Sequence, residues 1–174
     1  MARFKLGDRV QLVGDIARYY ACLVGAVVKE GTYPSAVLNQ YTVRLADGTV
    51  AAFFDFQLET PPARAAQIIF DSAAPHKTSG TRGAAPGRNV RLLAQGIDIH
   101  LKISGGTKKT IAGQVIAGRS AMQNALVTVF LGDQTVCSTS TDDTGEFTLS
   151  DVPAGDITIE VLIPSRRIVA SITV

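Results

Sequence analysis

Cysteine, histidine and unbalanced charge are all scarce in this 174-residue chain, and no long apolar run is present. The two cysteines, Cys22 and Cys137, lie far apart, each inside an apolar or alternating segment. That placement predicts buried free thiols rather than a disulfide framework. Two histidines, His76 and His100, add no paired spacing, so the four ligands that zinc needs do not converge in the sequence. Seventeen basic against fifteen acidic side chains leave a net charge of +2. This is too little to create an overall field for nucleic acid or anionic lipid, so any basic site must be local.

The longest apolar stretch, residues 19–28, is about half of the roughly twenty residues a membrane helix requires. No membrane partner is expected. The opening residues 1–10 carry no apolar stretch behind their basic side chains and run directly into a strand-like pattern. That is not how a secretory signal begins, and the expected location is cytoplasmic.

Hydrophobic residues make up 46% of the chain and charged residues 18%, enough apolar surface for packed cores. The apolar residues recur with period two, the signature of half-buried strands. Over residues 6–59, Val10 and Leu12 alternate with Arg9 and Gln11, residues 24–29 form a compact run, and Tyr41, Val43 and Leu45 alternate with Thr42 and Arg44. Asp47-Gly48 then predicts a tight two-residue hairpin loop with positive φ at both positions. The parity of the next strand assigns Val50, Ala52, Phe54, Phe56 and Leu58 to the core and leaves Phe53 facing outward.

Tandem prolines at Pro61 and Pro62 end this pattern, since they lack ladder donors. Residues 61–89 read as a linker with one short strand at Gln67–Asp71. From Val90 onward the alternation is more regular, through Ile97, Ile99, Leu101 and Ile103, then Ala125, Val127, Val129 and Leu131. It returns at Ile157, Ile159, Val161 and Ile163, and again at Ile168, Ala170, Ile172 and Val174. The fold class is therefore all-β, with a small barrel over residues 1–60 and a seven- to eight-stranded antiparallel sandwich over residues 90–174.

Two resemblances accompany this reading. Gly7-Asp8-Arg9-Val10, Gly25-Ala26-Val27-Val28, the hairpin around Asp47-Gly48 and Leu58-Glu59 resemble the SH3-like barrels of the KOW and Tudor kind. This implies a fold and a tendency to bind peptides or nucleic acid. Gly113-Gln114-Val115, residues 125–129, the turn from Thr141 to Phe147, and Val152-Pro153-Ala154-Gly155 resemble the carboxypeptidase regulatory-like (transthyretin-like) β-sandwich family. Residues 68–72 and 91–101 also look like the C-terminal region of some bacterial proteins associated with extracytoplasmic-function sigma factors, which implies a bacterial signalling setting.

No catalytic constellation is recognisable. Residues 104–109, Ser-Gly-Gly-Thr-Lys-Lys, lack the spacing of a phosphate-binding loop and read as a hairpin turn. His100 falls on the polar face of its strand, and nothing near it in sequence supplies a nucleophile and an orienting acid. Carboxylates at Asp133, Asp142, Asp143, Glu146 and Asp151 lie near turns without calcium-loop spacing. No cofactor is expected.

What remains points to binding. Tyr19, Tyr20 and Tyr33 fall in or beside loops of the barrel, where aromatics suit peptide or base stacking. Parity places Leu126, Phe130, Leu162 and Val169 on outer faces of the sandwich, which with Phe53 makes an apolar surplus that needs a covering element or a protein partner. The expected role is a non-catalytic protein-interaction adaptor. The alternatives are nucleic-acid binding by the barrel together with Arg82 and Arg88 of the linker, or a structural assembly subunit.

Overall fold

The computed structural model describes residues 2–32, 38–73 and 87–174. Tyr33, His76 and Arg82 lie outside the described residues. Among the described residues the chain is all-β, with sixteen strands in three sheets, none of them closed on itself. Two compact units divide it: residues 1–63 with 162–167, and residues 64–161 with 168–174.

The first unit holds β1 (Arg9–Leu12), β2 (Val24–Thr32), β3 (Asn39–Leu45), β4 (Val50–Phe54) and β5 (Leu58–Glu59) in the order β4-β3-β2-β1-β5. All neighbours in this sheet run antiparallel. Alternate residues Val10, Leu12, Val27, Tyr41, Val43 and Leu45 are buried, as period two requires. Tyr41 keeps its hydroxyl satisfied in this core by accepting from the backbone N–H groups of Arg3 at 2.8 Å and Phe4 at 3.3 Å.

The hairpin between β3 and β4 differs from the expected two-residue loop. Gly48 donates to Leu45 O at 3.0 Å, Leu45 donates to Thr49 O at 2.8 Å, and only Gly48, at φ +87°, is left-handed. The loop is a three-residue turn with glycine at its left-handed position. Asp47 stabilises it by accepting from Thr49 N–H at 2.9 Å.

The parity expected for β4 is inverted. Phe53 is 1% exposed, while Val50 is 51% and Phe56 62% exposed. Cross-strand partners share a face, and Phe53 stands opposite buried Tyr41, so it enters the core. A 3-10 turn over Asp55–Gln57 then resets the period, which returns Leu58 to the core but turns Phe56 outward. Continuing the alternation through that turn produced the error.

In the second unit, β6 (Ala63–Ala65), whose first residue belongs to the first unit, and β7 (Gln67–Asp71) precede β8 (Arg88–Ala94), β9 (Ile97–Gly105), β10 (Lys108–Ala117) and β11 (Ser120–Ala121). After them come β12 (Leu126–Leu131), β13 (Gln134–Ser140), β14 (Glu146–Pro153), β15 (Asp156–Ile163) and β16 (Arg166–Thr173). One sheet has the order β11-β10-β9-β8-β7 with β14 also on β10; the other has the order β13-β12-β15-β16-β6. The expected strand at Gln67–Asp71 is present as the edge partner of β8. Residues 63–65 and 88–89, assigned to the linker, are also strand. The ends of the segment between β7 and β8 are tied together, because Ser72 N–H donates to Asn89 O at 2.9 Å and Asn89 N–H donates to Ser72 Oγ at 2.8 Å.

The alternating residues named for the second half line its interior. Ile97, Ile99, Leu101, Ile103, Val127, Val129, Ile157, Ile159, Val161, Ile168, Ala170 and Ile172 are all buried. Leu131 departs from this, at 42% exposed, as the last residue of β12 beside the turn that leads to β13. The turn Asp142-Asp143-Thr144-Gly145 behaves as its residue types dictate: Asp142 Oδ1 accepts from the N–H groups of Thr144 at 2.9 Å and Glu146 at 2.8 Å, Gly145 is left-handed at φ +75°, and Phe147 is buried.

Candidate functional site

Of the side chains expected at an interface, Leu162 is a second correction. It is 0% exposed, and strand parity fails because Glu160, Val161, Leu162 and Ile163 are buried in succession where β15 enters the segment 162–167 that clusters with the first unit. Within that unit Leu23 N–H donates to Pro164 O at 2.7 Å. Leu126, Phe130 and Val169 are half-buried rather than exposed. Tyr19 is 81% exposed at the end of a 3-10 helix over Gly14–Tyr19, whereas Tyr20 turns inward and meets Phe53 edge-on at 5.3 Å. These residues therefore do not assemble into one exposed apolar surface.

Arg88 is also placed differently from expectation. It belongs to β8, and its Nε donates to Asp71 Oδ1 at 2.8 Å, while a terminal guanidinium nitrogen bonds Asp71 Oδ2. This bidentate pair raises the Arg88 pKa, the hydrogen bond to Asp71 being the main cause. Arg88 is thus a strand-pinning residue rather than a free cation on a basic arm.

A better-formed site lies on the solvent face of the β7–β8–β9–β10–β14 sheet, where an open depression of about 490 Å³ is lined by residues of all five strands. Register explains how these residues meet. Phe70 stands opposite Arg91, Arg91 opposite His100, His100 opposite Gln114, and Gln114 opposite Glu146, forming one row across five strands. A second row, Asn89, Lys102, Ala112 and Thr148, runs beside it. The side chains between these positions along β8 and β9, including Val90, Leu92, Ile99 and Leu101, are buried, so the two rows face outward by period two. Phe70 is 46% exposed, and the short side chain of Ala112 forms part of the floor.

Charges on this face are organised. Arg91 Nε donates to Asp98 Oδ1 at 2.9 Å and Oδ2 at 3.0 Å, and His100 Nε2 lies 3.1 Å from Asp98 Oδ1. The Arg91 hydrogen bonds, with the charges of His100 and Arg91 adding to them against partial burial, hold Asp98 below the usual carboxylate range. The same contact raises Arg91. Lys102 and Glu146, by contrast, have no ion-pair partner among the described residues. The face offers an aromatic edge, amide and imidazole groups, and one charge of each sign without an ion-pair partner among the described residues.

Sequence reasoning singled out His100 and Glu146 separately and missed their association. Alternation marks the outward positions of each strand but not the register that aligns strands with each other. Both cysteines are free, as expected; Cys22 is buried and Cys137 half-buried, with partial burial raising the Cys137 pKa. Among the described residues, no group of three or more His, Cys, Asp or Glu is placed to hold a metal ion, and no helix is long and apolar enough to cross a membrane. No protein-family model, curated protein or solved structure matches the chain.

Proposed function

We propose that this chain is a non-catalytic protein-binding adaptor, and that the outward face of the β7–β8–β9–β10–β14 sheet is its principal contact surface. The observation that carries the reading is the open depression of about 490 Å³ with its two cross-strand rows. Mixed polar, charged and aromatic side chains on a rigid sheet suit protein recognition, since fixed groups lose little entropy on binding.

The finer fold reading is part of the same proposal: the first unit is a small SH3-like barrel and the second a transthyretin-like sandwich. In the first unit the strand order returns β5 beside β1, as a small barrel needs. In the second, two sheets with regularly alternating buried residues fall in one compact unit. A bacterial signalling setting rests on the resemblance of residues 68–72 and 91–101 to proteins associated with extracytoplasmic-function sigma factors. The nucleic-acid alternative loses support from the engagement of Arg88 with Asp71.

Ala112→Trp fills the depression without touching a buried position. The intact chain should capture a discrete set of proteins from an extract of its source cells, and the A112W variant, with unchanged thermal melting, should lose them. Full capture by a well-folded A112W protein contradicts the assignment of the surface.

A further inference from the structure

We infer that this face binds an extended peptide segment that presents an acidic, an apolar and a basic side chain at successive alternate positions. The inference rests on the protein-binding reading and specifies its ligand. It follows from which charges the face leaves unmatched. Arg91 and His100 both converge on Asp98, so these three groups largely neutralise one another. Lys102 and Glu146 are exposed and have no ion-pair partner among the described residues.

Their separation follows from register. Lys102 stands opposite Ala112 on β10, and Glu146 stands opposite Gln114 on the same strand. The Cα positions of the two residues are therefore two strand spacings apart across the sheet and two residues apart along it, a diagonal of about 12 Å that their long side chains can adjust to. Positions i and i+4 of an extended chain lie about 13 Å apart on one face, with i+2 midway between them. A peptide laid along that diagonal puts an acidic residue on Lys102, a basic residue on Glu146 and an apolar side chain over the depression beside Ala112 and Gln114. A neutral ligand leaves both protein charges without a partner, whereas this one matches each. That complementarity favours a peptide over a neutral sugar, which the polar lining would otherwise also suit.

The test uses the intact chain and three synthetic heptapeptides that differ only in their charged positions: Asp-x-Leu-x-Lys, Lys-x-Leu-x-Lys and Asp-x-Leu-x-Asp, with threonine elsewhere. Fluorescence anisotropy at low salt should show the mixed-charge peptide binding about fivefold more tightly than either like-charge peptide, in keeping with one exposed ion pair exchanged for a like-charge contact. The K102E variant should reverse this and prefer Lys-x-Leu-x-Lys. A second variant, Glu146→Lys, should prefer Asp-x-Leu-x-Asp, which keeps the test decisive if K102E fails to fold. Equal binding of all three peptides, unchanged preferences in both variants, or binding of a neutral oligosaccharide in place of peptide overturns the inference. If no peptide binds while A112W still abolishes capture from extract, the charge-matched ligand is wrong and the protein-binding surface stands. If capture also survives A112W, both fall.

Discussion

Phe53 carries the clearest lesson about single residues. Counting by twos along the chain put it outside, yet its pairing with Tyr41 and its edge-on contact with Tyr20 put it at the centre of the first unit's core. Phe53→Ala should therefore cost about 3–5 kcal/mol of unfolding free energy, whereas Phe56→Ala, at an exposed position, should stay within about 0.5 kcal/mol. Urea melts of the two variants check this, and similar losses would return Phe56 to the core. Asp142 and Asp98 make a second prediction, in pH. Both have folded pKa values below the ordinary one, Asp142 chiefly through its hydrogen bond from the Thr144 side chain and Asp98 chiefly through Arg91. Their contribution is thus complete above the unfolded value of about 4 and is lost as pH falls through the lower folded values. Asp142→Ala should be less stable than the parent at pH 6, and the gap should narrow between pH 4 and 3; a constant gap across that range would contradict the assigned cause.

At the scale of elements, legibility depended on whether the determining chemistry was local. The Asp142-to-Phe147 turn was readable because its capping carboxylate, its left-handed glycine and its core phenylalanine are all within six consecutive residues. Gly145→Ala tests it: the left-handed φ costs about 1–2 kcal/mol for a residue with a Cβ, and that atom would stand 2.6 Å from Val115 O, so the loss should exceed the φ cost alone. A neutral effect in thermal melts would mean the turn adopts another conformation in solution. The Asp47-Gly48 hairpin was located correctly but not its loop type, since Asp-Gly serves both two-residue and three-residue turns. Alternation in the second half was similarly reliable until the end of β12, where Leu131 is exposed. The tip of the β15–β16 hairpin was not readable, because Leu162 is buried by a unit whose other residues lie a hundred positions earlier. The same limit hid the cross-strand row: each outward residue is visible within its own strand, but the row from Phe70 to Glu146 exists only once five strands are in register.

For the whole molecule, histidine and cysteine are scarce and charge is nearly balanced. The all-β class was legible from periodicity, whereas the placement of residues 162–167 with the first unit and of β7 with the second had no local signal. The proposed contact surface on the solvent face of the β7–β8–β9–β10–β14 sheet makes a direct demand on the intact protein in its source cells. A photo-reactive benzoylphenylalanine at position 100, in the middle of that face, should on irradiation give discrete cross-links to one or a few proteins, and the same group at exposed Arg119, in the β10–β11 turn, should not. Indistinguishable cross-linking patterns from positions 100 and 119, or none from position 100, would contradict the account.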